Sequence, residues 1–159
     1  MKILVISDTH GDTENAEMVI RKNMDADLVI HLGDYFRDAE KLAKLFPQLK
    51  FEYIYGNSDF MIGEVPAEKH LEIAGKKIIL THGHRYSVKR DYSRIEKKAL
   101  DERADILLFG HTHVPDIMEG KGYIIVNPGS TAMPRNDSDE SYAIIDINGN
   151  GTDVRLCRV

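Results

Sequence analysis

The chain has 159 residues, of which 42% are apolar and 30% charged, with a formal charge of -5. This composition predicts one domain, residues 1–159, with one buried core and a soluble surface. The acidic balance argues against non-specific DNA or RNA binding, which draws on Lys and Arg to neutralise phosphates.

A small phosphorylated substrate stays open, because bound cations would add positive charge that a residue count misses. The single cysteine, Cys157, excludes an intramolecular disulfide framework and a cysteine-based zinc site. The opening apolar run, up to Ile6, is too short for a signal peptide. Nor does any stretch approach the roughly 20 apolar residues of a membrane span. A cytoplasmic protein with no membrane partner is expected.

Short β-branched runs recur along the chain, each ending in a polar cluster. Lys2 to Ile6 reads as a buried strand that ends in Ser7-Asp8-Thr9-His10-Gly11. A helix fits residues 13–23, with Asp12 or Thr13 as N-cap and Ala16, Val19 and Ile20 on one face. Leu28 to His31 is a second strand, broken by Gly33-Asp34. The spacing of Leu42, Leu45 and Phe46 predicts a second helix over Asp38 to Phe46, closed by Pro47. Phe51 to Tyr55 is a third strand, ending in Gly56-Asn57-Ser58-Asp59. This βαβαβ beginning predicts a largely parallel sheet.

The second half is rich in hairpins. Leu71 to Ile73 and Lys76 to Leu80 flank Ala74-Gly75 and run into Thr81-His82-Gly83-His84. A helix is expected over residues 91–101, then a buried strand, Ile106 to Phe109, ending in Gly110-His111-Thr112-His113. Ile117-Met118 and Tyr123 to Val126 flank a turn. Tyr142 to Ile147 and Asp153 to Leu156 flank Asn148-Gly149-Asn150-Gly151. These hairpins predict a second, mixed sheet packed on the first.

Five predicted strands therefore end in glycine-flanked clusters of metal-capable residues: Asp8-Thr9-His10, Gly33-Asp34, Gly56-Asn57, His82-Gly83-His84 and Gly110-His111-Thr112-His113. In open sheets with helices on their faces, ligand sites lie beyond the carboxyl ends of the strands. Strand ends lying side by side would bring the clusters together, and the glycines would let the backbone turn tightly and keep bulk out. Carboxylate, imidazole and amide oxygen form a donor set suited to manganese, iron, nickel or zinc. Seven side chains exceed the needs of one ion. Two cations about 3.5–4 Å apart are the arrangement that clamps a phosphoryl group during in-line displacement.

The order D-x-H, G-D, G-N, H-G-H, G-H-x-H resembles the calcineurin-like metallophosphoesterase superfamily. Small size, Gly56-Asn57-Ser58-Asp59 and the later Asn127-Pro128-Gly129-Ser130 are similar to its compact bacterial and archaeal phosphodiesterases. The likeness spans Asp8 to about Arg135. It implies an α/β fold of two packed mixed β-sheets flanked by helices, a four-layer αββα sandwich.

It also implies a first metal on Asp8, His10 and His113, a bridging Asp34, and a second metal completed by Asn57, His82 and His111. Manganese is the first expectation for both ions, with nickel, iron and zinc as alternatives. Two divalent ions, two aspartates and a bridging hydroxide leave a charge of about +1, which a phosphodiester monoanion would neutralise. In-line attack by that hydroxide is the implied reaction, and Asp34 and Asn57 are the residues of the set tied most closely to it. Many family members carry histidine immediately after the asparagine. Ser58 fills that slot here, so the proton donor is unassigned.

No Arg or Lys stands inside the five motifs to meet a third phosphoryl oxygen, which favours diesters over monoester dianions. The expected partner is a small phosphodiester or nucleotide-like substrate. Nucleic acid is not expected, although a nuclease or phosphomonoesterase is an alternative, and no oligomer is predicted. A further alternative is a metal-poor interaction scaffold of the same fold, as in a small endosomal coat subunit of the superfamily. The complete donor set weighs against it.

Outside the ligand set, His84 reads either as a phosphate contact or proton donor, or as support for His82. His31 reads as a hydrogen-bonded core histidine orienting its loop, and His70 as a surface residue. Asp12 reads as a helix cap, or, from its closeness to His10, as support for the site. Asp59 would orient Asn57, pair with Arg135, or serve as a turn carboxylate. The Asn127–Ser130 backbone would pack under the site. Tyr86, Lys89 and Tyr92 either line a cleft or belong to a core-facing or solvated helix, and Cys157 is a buried apolar residue.

Overall fold

The computed structural model describes residues 1–149 and 151–159. Its elements in chain order are β1 (Lys2–Ile6), α1 (Glu14–Lys22), β2 (Leu28–His31), α2 (Phe36–Leu45), β3 (Phe51–Tyr53), β4 (Glu68–Ile73), β5 (Lys76–Thr81), α3 (Ser93–Asp101), β6 (Ile106–Leu108), β7 (Pro115–Gly120), β8 (Tyr123–Pro128), β9 (Ser141–Asn148) and β10 (Gly151–Arg158). A 3₁₀ turn, His84–Tyr86, follows β5.

Two five-stranded sheets form, in the orders β10-β9-β1-β2-β3 and β4-β5-β6-β8-β7. Successive side chains along a strand point to opposite faces, and here both faces are covered. Ile3 and Val5 of β1 join Leu28 and Ile30 of β2 against Ile78, Leu80, Ile106, Leu108 and Val126 of the other sheet. Leu4 and Ile6 point the other way, against Ala16, Val19 and Ile20 of α1 and Leu42 of α2. On the second sheet, Ile79, Leu107 and Ile125 pack under Ile95 and Ala99 of α3. The result is the four-layer αββα sandwich implied by the motif pattern. Each fully buried Leu or Ile contributes roughly 1.5–3 kcal/mol relative to exposure.

Several boundaries move, for identifiable reasons. Helix α2 starts at Phe36, two residues before the expected Asp38, because the Asp59 carboxylate accepts the N–H groups of Tyr35 and Phe36 at 2.9 Å. A cap supplied from a distant loop is invisible to local spacing. Leu45, placed on the apolar face by its spacing, is instead 45% exposed at the helix end. Helix α3 begins at Ser93, where the Asp91 carboxylate accepts the Ser93 N–H at 3.0 Å. Strand β3 ends at Tyr53, two residues early.

The last hairpin corrects the expected sheet assignment. Strand β9 pairs antiparallel with β1, and β10 extends that edge, so both belong to the first sheet. The first sheet is accordingly mixed. Strand β1 runs parallel to β2 on its other side, and β9 satisfies the hydrogen-bonding edge that would otherwise face solvent. The turn expected at Asn148-Gly149-Asn150-Gly151 includes Asn150, which lies outside the described residues.

The parallel pairings β1·β2, β2·β3, β5·β6 and β6·β8 carry all six strands' carboxyl ends to the same edge of their sheets. The functional clusters lie there.

Candidate metal centre

Asp8 follows β1, Asp34 follows β2, His82 follows β5, and His111 and His113 follow β6. The sandwich brings the two edges face to face. Ligand-capable atoms of Asp8, His10, Asp34 and His113 lie within 4.8 Å of one another, and so do those of Asp34, His82 and His111. Asp34 belongs to both groups.

The Asp34 carboxylate stands between the two sides. Its Oδ2 is 3.6 Å from His10 Nε2 and its Oδ1 is 3.4 Å from His82 Nε2. Asp8 Oδ1 lies 3.2 Å from His113 Nε2, 3.9 Å from His82 Nε2 and 4.0 Å from His10 Nε2. The Nε2 atoms of His10 and His113 face each other at 3.3 Å.

Outer contacts aim these rings. His82 Nδ1 donates to the Leu32 carbonyl at 2.8 Å, and His113 Nδ1 donates to the Met133 carbonyl at 2.6 Å. Each ring thereby turns Nε2 inward. Histidines that bind metals commonly engage their other nitrogen in this way. Asp8 Oδ2 accepts from the Ser7 hydroxyl at 2.5 Å and from the His111 N–H at 3.1 Å, which leaves Oδ1 directed into the cluster.

Whether these residues fit a cation can be tested on their own bonding. Among the described residues, Asp8 Oδ1 and His82 Nε2 are buried side-chain atoms without a hydrogen-bond partner. Leaving a buried polar atom unmade costs about 1–3 kcal/mol, and more for a charged group. Both orphaned atoms point into the cluster, and both are metal donors. The donor set fits.

Electrostatics agree. Burial pushes the Asp8 carboxyl up, but His113 and His82 pull harder and hold it below its ordinary range. Burial is likewise outweighed at Asp34, where His82 and the Ser58 contacts keep the carboxyl well below the usual value. Both are therefore anionic at neutral pH. Burial, His82 and Lys89 press the His111 imidazole down to about 4, so it is neutral. Burial opposes protonation of His82 and His113, yet the aspartates beside them raise both above the ordinary value. A cation would compete with those protons.

The remaining site expectations divide. Asn57 is exposed, and its amide donates to Ser58 Oγ at 3.2 Å. Ser58 donates its N–H to Asp34 Oδ1 at 2.8 Å and its hydroxyl to Asp34 Oδ2 at 3.0 Å. The residue that sequence reading treated as a missing histidine thus orients the shared carboxylate. His84 lies beside the cluster, its ring 5.4 Å from His82 and 6.2 Å from His111. Its Nδ1 is buried and has no partner among the described residues.

His31 is the core histidine expected: Nδ1 accepts the Gly33 N–H at 3.2 Å, and Nε2 bonds Thr9 Oγ1 at 3.0 Å. Thr9 passes its own proton to Asp38 at 2.7 Å. Burial takes the His31 imidazole down to about 4, so the ring is neutral, and the chain braces the Asp8 loop against the Asp34 loop. His70 sits on the surface near Glu102, at 3.2 Å. Asp12 accepts the Glu14 N–H at 3.1 Å, as a cap does.

Asp59 does not pair with Arg135; it binds the N–H groups of Tyr35, Phe36 and Gly56 and ties the Asn57 loop to the Asp34 loop. Tyr92 stacks edge-on against Phe109 and also lines a cleft with Lys89, while Tyr86 bonds Glu68; both tyrosines are partly buried against the core under α3. Cys157 is partly buried against the helix-side core.

The Asn127–Ser130 turn does pack under the site, and through side chains as much as backbone. Ser130 Oγ donates to the Asp8 carbonyl at 2.8 Å and accepts the N–H groups of Ala132 and Met133. Asn127 Nδ2 reaches the Gly110 carbonyl at 3.0 Å and Thr112 Oγ1 at 2.9 Å. Two glycines keep bulk out. A Cβ on Gly56 would strike Asp34 and come within 2.9 Å of His82, and one on Gly110 would strike Ser7 and come within 2.7 Å of Asp8 Oδ2.

This fold and donor arrangement define a metal-dependent phosphoester hydrolase. The family model of the calcineurin-like phosphoesterase superfamily domain matches residues 1–150, and the chain belongs to that family. It is 33% identical to the probable metallophosphoesterase YsnB of Bacillus subtilis over 98% of this chain and 90% of that protein. It is 27% identical to the phosphodiesterase YfcE of Escherichia coli, over 92% of this chain and 88% of the relative. A crystal structure of a predicted phosphoesterase from Streptococcus pneumoniae superposes with a TM-score of 0.85 at 31% identity, covering 99% of this chain and 88% of that one. Among the described residues, no helix is long and apolar enough to cross a membrane.

Proposed function

We propose that the chain is a two-metal phosphodiesterase acting on a small phosphodiester or nucleotide-like substrate. The observation that carries this reading is the pair of donor groups sharing Asp34, with the orphaned Asp8 Oδ1 and His82 Nε2 between them. Asp8, His10 and His113 would hold one divalent ion with Asp34. His82 and His111 would hold the other, with Asn57 completing it. The Asn57 amide nitrogen is the end tied to Ser58, so its oxygen is the end offered to a cation.

Manganese is the first choice, and nickel, iron and zinc suit the same donors. Such ions lower the pKa of water towards neutrality and stabilise charge on phosphoryl oxygens. The protein's own part is positional. Leu32 and Met133 fix two imidazoles, Ser7 and Ser58 fix the two carboxylates, and Ser130 anchors the Asp8 backbone. His84, whose ring lies beside His82 and His111, would contact a phosphoryl oxygen. A diester is favoured because a phosphodiesterase stands among the relatives. The cytoplasm is the compartment in which this reading places the enzyme.

The test is hydrolysis of bis-p-nitrophenyl phosphate, p-nitrophenyl phosphate and cyclic nucleotides with each of the four metals, with Asp34→Asn as control. Diester cleavage that Asp34→Asn abolishes is expected. If no phosphoester is cleaved with any metal, the reading fails; a clear preference for the monoester corrects it to a phosphomonoesterase. Unchanged turnover of His84→Ala across leaving groups of different pKa would remove His84 from it.

A further inference from the structure

Beside the donor cluster runs a cleft of about 330 Å³ that the proposed reaction does not use. Its walls include Lys89, Tyr92, Thr112, Val114, Arg135 and Asn136. Thr112, on the cleft wall, stands between two of the expected ligands, His111 and His113, in the chain. Lys89 and Arg135 come from segments 46 residues apart, and only the fold sets them on one rim.

Both cations are exposed, yet their backbones are held. Val88, next to Lys89, is 3% exposed in the core under α3. The Arg135 N–H donates to the His113 carbonyl at 3.3 Å, and Ser138 Oγ donates to the Arg135 carbonyl at 2.6 Å. Neither side chain has an ion-pair partner among the described residues. No carboxylate lines the cleft. The bond from the Arg135 N–H to the His113 carbonyl sets the Arg135 segment on the flank of the centre.

We propose that Lys89 and Arg135 form a subsite for a second phosphate-type group on the same substrate whose scissile phosphate lies over the aspartate–histidine cluster. The inference rests on the phosphoesterase reading of that cluster. Charge supports it: a terminal phosphate carries about -1.5 to -2 at neutral pH, and two unpaired cations match it. Chemistry supports it too, since arginine offers a planar fork for two phosphate oxygens and lysine a point charge. Size fits one arm of a ligand, because whole small-molecule pockets run from about 300 to 1,000 Å³. The subsite also revises the sequence argument that no Arg or Lys serves the site. None lies within the motifs, but folding delivers two.

The experiment compares two p-nitrophenyl esters of thymidine 5′-phosphate, one bearing a 3′-phosphate and one without it, on the manganese-supplemented chain. Lys89→Ala/Arg135→Ala is expected to raise KM for the bisphosphate ester by about 10-fold or more. Kinetics on the ester lacking the second phosphate should change less than about 2-fold. Calorimetric titration with thymidine 3′,5′-bisphosphate and thymidine 5′-phosphate gives a readout apart from turnover. The unsubstituted chain should prefer the bisphosphate, and the double variant should lose that preference with its melting temperature unchanged.

Equal losses on both esters would overturn the proposal, because the cations would then serve the scissile phosphate. No loss on either, or no binding preference in the unsubstituted chain, would overturn it as well. Failure of the phosphoesterase reading looks different: neither ester is cleaved with any metal, while the titration still decides the subsite.

Discussion

At the amino ends of the parallel strands the chain turns through Gly75, Gly122 and Gly151, all with left-handed φ and open space where a Cβ would sit. At the carboxyl ends Gly11, Gly33 and Gly83 share the left-handed region with Asp8, His10, Asp34, His111 and His113, the last five at 49° to 71°. Such a backbone costs an L-residue on the order of 1–2 kcal/mol, less for aspartate. Both ends use glycine, and Ala74 bends beside Gly75, but at the carboxyl end the left-handed backbone also falls on the residues that carry the chemistry. The loading is tolerated because several of these residues are held from outside: Asp8 by Ser7 and Ser130, Asp34 by Ser58, and His113 by the Met133 carbonyl. Strain of this kind, held by its surroundings, preorganises a site.

The contrast can be broken in order of expected effect. Asp34→Asn removes the one carboxylate common to both donor groups, and turnover should fall by more than the roughly 10–100-fold that losing an outer partner costs. Steady-state kinetics with manganese would show it, and wild-type rates would refute the shared role. Next, Gly110→Ala should destabilise by about 2–3 kcal/mol through overpacking against Ser7 and Asp8. Gly122→Ala, at the other end, should cost about 1 kcal/mol through its φ of 89° alone. Equal shifts in urea melts would erase the distinction between the ends.

Manganese at about 100 times its dissociation constant should stabilise the fold by about 2.7 kcal/mol, and a chelator should reverse the gain. Differential scanning calorimetry would measure it, and an unmoved transition would count against a preformed site. Ser130→Ala breaks the anchor to the Asp8 carbonyl and to the Ala132 and Met133 N–H groups. A 10–100-fold loss of metal affinity is expected at unchanged ligand count, read by metal titration. Smallest is Asp59→Ala, which uncaps α2 and should cost about 1 kcal/mol in a denaturant melt.

Much of this was legible beforehand. Periodic runs placed β1, β2, β6 and α1 within a residue or two, because apolar alternation and helical spacing are local properties. The five strand-end motifs located the cluster, because open sheets put ligand sites at the carboxyl ends of their strands. Asn57 was named from the motif, and its amide bonds Ser58, which in turn bonds Asp34. That serine was read as a missing proton donor, since adjacency alone cannot tell a hydroxyl aimed at Asp34 from one aimed at solvent. The early start of α2 and the sheet assignment of β9 and β10 were missed for a related reason. Asp59 acts on residues 23 and 24 positions away, and β9 pairs with a strand more than 130 residues earlier.

By itself, then, the sequence determined the ligand chemistry at the ends of its strands: which residues carry donors, and where glycine makes room for them. Tertiary structure alone decided how those donors are aimed. Face-to-face packing of two sheets shares Asp34 between both donor groups, sets serine hydroxyls and carbonyls behind the ligands, and brings Lys89 and Arg135 to one rim. The physical reason is range. Donor identity and backbone turning are properties of a few adjacent residues, whereas orientation and charge placement depend on contacts that exist only once the strands have paired.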